Sequence, residues 1–239
     1  MKKQRLDKFI ANQLIIPRSV VRKGIYRGLA TVNDTVVRDI AFSIDSENDS
    51  IAYDGTKIGY KEYVYILMNK PKGVLSAATD KSRKTVVDLV PEHLKRQDIA
   101  PVGRLDKDTT GLLLITDDGV FAHNCISPKK EISKSYIVTL DGDINDEMIQ
   151  KFKTGITLVD VTMCISAILE RIDKNIARVI ISEGKYHQVK RMFGIVGLGV
   201  NELHREAIGG LCLPNDLKSG ECIEMTKQQL EDCIYNKKV

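Results

Sequence analysis

"GRLDKDTTGLLLITDDG", residues 103–119, sets four acids around one apolar run. The run is Leu112, Leu113, Leu114 and Ile115, and the acids are Asp106, Asp108, Asp117 and Asp118. A short apolar run bounded by turn residues predicts a buried strand over 111–115. Working outward, "YVYILMN" (63–69) and "SYIVTL" (135–140) predict further strands. "DINDEMIQKFKTG" (143–155) predicts a capped helix, and "KYHQVKRMFGIVG" (185–197) a helix that ends at Gly197. "MCISAILERI" and "NIARVIISEG" pair across Asp173 and Lys174. "TVVDLV" (85–90) reads as helical up to Pro91. Strands interleaved with helices, several joined as hairpins, predict an α+β fold whose mixed sheet is largely antiparallel and flanked by helices.

The acids admit several readings. Asp106, Asp108 and Gly111 match the start of a calcium loop, but its ninth place is Leu114 and its twelfth is Asp117 rather than Glu. Asp-x-Asp-x-Thr also opens haloacid-dehalogenase-like phosphatases, whose first Asp directly follows a buried strand. Here "APVGRL" (100–105) precedes Asp106, too short and glycine-broken for that strand. The plain alternative is a loop in which Asp side chains bond backbone amides. On that reading Asp117, Asp118 and Gly119 form a hairpin turn and Asp108 braces the loop, while Gly103 turns the chain.

The chain has 239 residues and is 43% hydrophobic, enough for one or two domains with real cores. No apolar run approaches the ~20 residues of a membrane span. The basic N-terminus lacks the apolar core and cleavage site of a secretory signal. Five scattered cysteines without a C-x-x-C pair read as thiols in a reducing cytoplasm. Net charge is only +4, but the first forty residues hold Lys2, Lys3, Arg5, Lys8, Arg18, Arg22, Lys23, Arg27 and Arg38 against Asp7, Asp34 and Asp39. That segment is a candidate polyanion surface.

The same segment predicts a compact αα-β unit. A first helix over 5–14 has Leu6, Phe9, Ile10 and Leu14 on one face. Pro17 interrupts it, and Ser19 is expected to cap a second helix with Val20, Val21 and Ile25 on its apolar side. Arg22, Lys23 and Arg27 then project together, Gly28 ends the helix, and "LATVNDTVV" folds as two strands about Asn33 and Asp34. The expected organisation is a binding module over 1–56, a linker over 57–62 within the polar stretch 54–62, and a second domain over 63–239.

With these segments in place, the chain resembles the RsuA-type pseudouridine synthases. The resemblance rests on "NKPKGVLS" (69–76), "GRLDKDTTGLLLITDDG", "SPKKEISKSY" (127–136), "ISEGKYHQVKRMF" (181–193) and "ELHREAIGG" (202–210). "RLDKFIANQL" (5–14) resembles the S4 RNA-binding module that precedes the catalytic domain in that family. It implies isomerisation of one uridine to pseudouridine in 16S rRNA, at position 516, within a partly assembled small subunit. "YDG" at Tyr53, "YHQVKRMF" and "ELHREAIGG" look more like the 16S branch than the 23S branch. The alternatives are a 23S-acting synthase and a catalytically silent rRNA-binding assembly protein.

The reaction breaks a C–N glycosidic bond, turns the uracil and forms a C–C bond, so no cofactor or metal is required. The four histidines (His93, His123, His187, His204) and the cysteines form no ligand spacing. A carboxylate can attack or abstract a proton, and the resemblance gives that role to Asp106. It makes Lys190 the cation beside Asp106, where many relatives carry Arg. It makes Tyr136 the ring that stacks on the extruded uracil and a candidate for removing the C5 proton. Arg104 would hold the RNA open once the base has flipped. Lys185, His187 and Gln188 are further RNA contacts, and Lys70, Lys72, Lys129, Lys130 and Arg191 are phosphate contacts by charge. On the N-terminal unit the expected RNA contacts are Arg18, Arg22, Lys23 and Arg27. The expected protein is a monomer with no membrane partner.

Overall fold

A computed structural model of the chain describes residues 3–235; Lys2 and the last four residues of the expected second domain lie outside the described residues. Two compact units result, Met1–Val64 with Lys95–Asp98, and Tyr65–Leu94 with Ile99–Val239.

The smaller unit contains β1 (Lys3–Arg5), α1 (Leu6–Leu14), α2 (Arg18–Tyr26), β2 (Ala30–Val32), β3 (Thr35–Val37), β4 (Ser43–Asp45), β5 (Ile51–Tyr53) and β6 (Thr56–Ile58). Leu6, Phe9, Ile10, Val21 and Ile25 from the helices pack with Ala30, Ile44, Ile51, Tyr53 and Ile58 in one core. Pro17, not Ser19, is the N-cap of α2, because its fixed φ of −53° already suits a helix start. Ser19 lies in the first turn, and Val20 faces solvent at 50% exposure. Asn33 and Asp34 take positive φ and close the β2–β3 hairpin as expected. The stretch expected as linker is folded at its start. Asp54 and Gly55, both at positive φ, turn β5 into β6, and Ile58 is buried in the core. Residues 95–98 were expected in the second domain, yet Arg96 donates to Gln13 Oε1 (3.3 Å) and to the Lys61 carbonyl (3.1 Å) within the smaller unit.

One acid organises the basic face of this unit. Asp7 is fully buried, and Arg18 grips it with two bonds of 2.9 Å while Arg22 reaches it at 2.8 Å and Arg5 at 3.1 Å. Burial works against its charge, but the three arginines outweigh it and hold the carboxyl well below the usual range. Arg18 and Arg22 are therefore structural ion-pair partners, each still 43% exposed. Lys23 and Arg27 are exposed.

The larger unit runs β7 (Tyr65–Lys70), β8 (Ala100–Pro101), β9 (Thr110–Thr116), α3 (Gly119–Ile126), β10 (Lys134–Leu140), α4 (Asp146–Thr154), β11 (Ile156–Thr157), β12 (Met163–Cys164), β13 (Ile168–Asp173), β14 (Ile176–Ile181), α5 (Gln188–Ile195), β15 (Val200–Ile208), β16 (Leu211–Cys212), β17 (Cys222–Met225) and α6 (Lys227–Tyr235). Its main sheet has the order β13-β14-β10-β15-β9-β7-β17, and only the β9–β15 pair is parallel. The fold is α+β with a largely antiparallel sheet. Tyr65 and Leu67 of β7 and Leu112 and Leu114 of β9 pack with Phe121 and Cys125 of α3 and Leu230 and Ile234 of α6. Phe152 of α4 meets Phe193 of α5 with ring centroids 4.9 Å apart.

Two local expectations differ. "TVVDLV" forms only a 3₁₀ turn over Val87–Leu89, because the residue before Pro91 is driven to an extended conformation. Asp118 does not turn a hairpin. It caps α3, accepting from the Val120 and Phe121 amides, and it also takes the Tyr65 hydroxyl at 2.7 Å and Lys227 at 3.1 Å.

Candidate active site

The centre of the sheet is where the site is built. Gly111, the second residue of β9, has φ +101° and is in register with Arg205 of β15. A Cβ at Gly111 would lie 2.3 Å from the Arg205 carbonyl oxygen, so only glycine lets the two strands approach this closely. Just before β9, Gly103 at φ +74° turns the chain into a loop that carries Asp106. The Thr109 amide donates to the Asp106 carbonyl (3.1 Å), which closes the loop on itself.

The loop is held from outside by "NKPKGVLS". Ser76 Oγ donates to the Leu105 carbonyl (2.8 Å) and accepts from the Leu105 amide (3.1 Å). The Gly73 amide donates to the Lys107 carbonyl (2.7 Å). Lys70, expected as a phosphate contact, is fully buried. Its Nζ donates to the carbonyls of Thr109 (2.9 Å), Pro71 (3.1 Å) and Lys107 (3.3 Å). Burial pushes the ammonium down to about 8, while Asp108 and Asp106 pull it back up. No sequence signal separates such an internal lysine from a surface one in a turn-like "KPKG".

Asp106 faces an imidazole and an ammonium from α5 and its N-cap. His187 Nε2 is 3.3 Å from its Oδ1, and Lys190 Nζ is 3.6 Å from its Oδ2. Lys190 bonds more tightly to Asp108, at 2.7 Å, and holds that carboxyl below the usual range. Asp108 thus shares Lys190 with Asp106, and its carboxyl also takes a hydrogen bond from its own backbone amide. His187 was read as an RNA contact; here its imidazole lies nearer to Asp106 than the Lys190 ammonium does. It sits at φ +48° as the N-cap of α5, a backbone state that histidine tolerates better than branched residues.

Tyr136 of β10 lies opposite Arg205 and Val179, largely buried at 9% exposure. It lines one small cavity together with Arg104, Asp106, Thr109, His187 and Lys190. This cavity, of about 80 Å³, adjoins a cleft of about 980 Å³ through shared walls at Arg104, Asp106 and His187. Ile181, Val189 and Leu203 supply apolar wall. Among the described residues Thr109 Oγ1 has no hydrogen-bond partner, a buried polar group on that wall. Arg205 is also buried; its Nε donates to the Leu112 carbonyl at 2.8 Å, and its Nη2 is unpaired. Composition gave no sign that this arginine is internal.

Other expected contacts are tied into the fold. Gln188 is buried and its amide joins Glu183 (2.6 Å) to the Lys185 backbone N–H (3.0 Å). Lys185 pairs with Glu183 and donates to the Met163 carbonyl (2.7 Å). Arg191 pairs with Asp160 at 2.6 Å. Lys72, Lys129 and Lys130 are exposed, as is Arg104. Among the described residues, no group of three or more His, Cys, Asp or Glu is arranged to hold a metal ion, and no helix is long and apolar enough to cross a membrane.

A carboxylate with a lysine and a histidine beside it, a tyrosine and an apolar wall can take a flat, uncharged heterocycle and act on it as nucleophile or base. Comparison with known proteins points the same way. Residues 64–194 match the family model described as RNA pseudouridylate synthase. The chain is 40% identical over 234 residues to the ribosomal small subunit pseudouridine synthase A of Escherichia coli strain K12, covering 96% of this chain and all of that one. It is 37% identical over 230 residues to the uncharacterized RNA pseudouridine synthase YtzG of Bacillus subtilis strain 168, covering 95% of this chain and 96% of that one. A crystal structure of a pseudouridylate synthase superposes with a TM-score of 0.67 at 34% identity, covering 96% of this chain and 99% of that one.

Proposed function

The chain belongs to the RNA pseudouridylate synthase family and is an isomerase, and from that premise we propose that it converts one uridine of 16S rRNA, at position 516, to pseudouridine. The observation that carries this reading is the meeting of Asp106, Tyr136, His187 and Lys190 in one cavity, from segments up to 84 residues apart in sequence.

The target uridine leaves its stack and enters the cavity. Arg104, exposed on the rim, holds the opened RNA. Asp106 attacks the nucleoside as a carboxylate, with the Lys190 ammonium beside Oδ2 offsetting its charge and the His187 imidazole against Oδ1. The N–C glycosidic bond breaks, the uracil turns against the Tyr136 ring, its C5 bonds to the ribose carbon, and the bond made by Asp106 breaks, which returns the free carboxylate. The C5 proton leaves, with Tyr136 as the acceptor, and N1 ends protonated. No atom is gained or lost overall, and none of these steps calls for a cofactor.

The smaller unit acts as an S4-like RNA-binding module, with Lys23 and Arg27 as free phosphate contacts and Arg18 and Arg22 contributing the exposed part of their guanidinium groups. The substrate is a partly assembled small subunit, and the enzyme acts as a cytoplasmic monomer. A pseudouridine map of rRNA from a strain lacking the gene tests the target. The expected result is loss at position 516 alone. Loss at a 23S position with 16S rRNA unchanged would overturn the assignment.

A further inference from the structure

Tyr186 is 69% exposed, yet its ring is not loose. It stacks on the adjacent His187 with centroids 3.9 Å apart and planes 18° apart. Side chains of consecutive residues usually diverge; here the left-handed backbone of His187 turns the two rings face to face. The Arg191 guanidinium adds a bond of 3.4 Å to the Tyr186 carbonyl. The result is a short column, with the Asp106 carboxylate against the imidazole edge at 3.3 Å and the phenol ring as the outer layer.

Tyr186 lines the wider cleft and not the small cavity that holds Tyr136. The charge of that cleft is uneven. Its acids are already matched: Asp80 by Arg83 at 3.0 Å, Asp108 by Lys190, and Asp106 by His187 and Lys190. Among the described residues, Arg104 and Lys107 have no carboxylate partner there. An open aromatic face beside two unpaired cations is the combination that binds a single-stranded nucleotide, with the base on the ring and the phosphate on the cations.

We infer that Tyr186, backed by His187, is the stacking platform for the nucleotide adjoining the flipped uridine, with Arg104 and Lys107 on its phosphate. This rests on the proposed function, because a uridine at Asp106 tethers its chain neighbour within one phosphodiester of the Tyr186 face. The platform reads ring shape and not hydrogen-bond pattern, so it fixes the register of the RNA strand more than the identity of the base.

The test measures binding in the Asp106→Asn background, so that turnover does not enter. The probe is a 16S rRNA fragment spanning the proposed uridine, intact or with an abasic nucleotide on either side of it. Base–aromatic stacking of about 1–3 kcal/mol converts to roughly a five- to hundredfold change in Kd. Adding Tyr186→Ala should weaken intact RNA by that factor, and Tyr186→Phe should restore it. One abasic position should weaken the parent by a similar factor and leave the Tyr186→Ala protein unaffected. Equal abasic losses in both proteins, or a Tyr186→Ala protein that binds intact RNA like its parent, would overturn the inference. Pseudouridine formation by the unmodified enzyme on the same fragment is scored separately, and its failure would count against the proposed function instead.

Discussion

Lys70→Met removes a buried charge while keeping most of the side-chain volume. Lys70 Nζ donates three hydrogen bonds, to the carbonyls of Pro71, Lys107 and Thr109, two of them in the loop that carries Asp106. Charge-assisted bonds at about 1.5 kcal/mol each are opposed by about 3 kcal/mol of desolvation, from a displacement of the ammonium from 10.5 to about 8. The net loss at pH 7 is about 1.5 kcal/mol. The pH dependence has a definite sign. Between about 8 and 10.5 the unfolded lysine keeps a proton that the folded one has shed, so this group's contribution makes the wild type more stable as pH rises. Methionine lacks that gain, so the stability gap should widen by up to about 3 kcal/mol across the window. Urea unfolding of both proteins at steps from pH 7 to 10.5 measures it. A loosened Asp106 loop should also lower kcat, by about a hundredfold for a displacement near 1 Å. Parallel stability curves across that window, or a variant as stable and active as wild type at pH 7, would refute the role given to Lys70.

Gly111→Ala forces a Cβ to 2.3 Å from the Arg205 carbonyl oxygen at a φ of +101°, so it should destabilise the protein by roughly 3 kcal/mol or more, read as a fall in Tm. Asp7→Asn leaves three arginines without their carboxylate; because they reach solvent, the cost should be about 2–3 kcal/mol at neutral pH. The folded Asp7 carboxyl lies below its unfolded value, so its contribution is complete above that value and the difference from Asp7→Asn should shrink as pH falls below about 4. Thiol labelling of the native protein at pH 8 should modify exposed Cys212 first. Cys125 should stay silent, since burial pushes its thiol up to about 12, and Cys222, pushed to about 11, should lag.

The strands and the Asp106 loop were legible because glycine, alternation and apolar runs mark them locally. Gly103 and Gly111 at positive φ bracket the loop, and the 111–115 run became β9 with one residue added at each end. What the sequence hid were partners distant along the chain. Lys70, Gln188 and Arg205 look like surface residues until the fold surrounds them, and Arg18 and Arg22 look like free charge until Asp7 is found beneath them. Asp118 reads as a turn because the cap it makes depends on α3, whose start has no apolar periodicity of its own. His187 was legible as a basic residue but not as a neighbour of Asp106, because 81 positions of sequence separate the two.

The central claim is that the Asp106 carboxylate carries out the isomerisation. Its most direct test is Asp106→Asn, which keeps the size and polarity of the side chain and removes its charge. Purified wild type and variant are given small-subunit rRNA precursor particles, and pseudouridine at position 516 is counted by mass spectrometry beside a binding assay on the same RNA. Unchanged binding with product abolished is the predicted result; a variant that still forms pseudouridine at the wild-type rate would contradict the account.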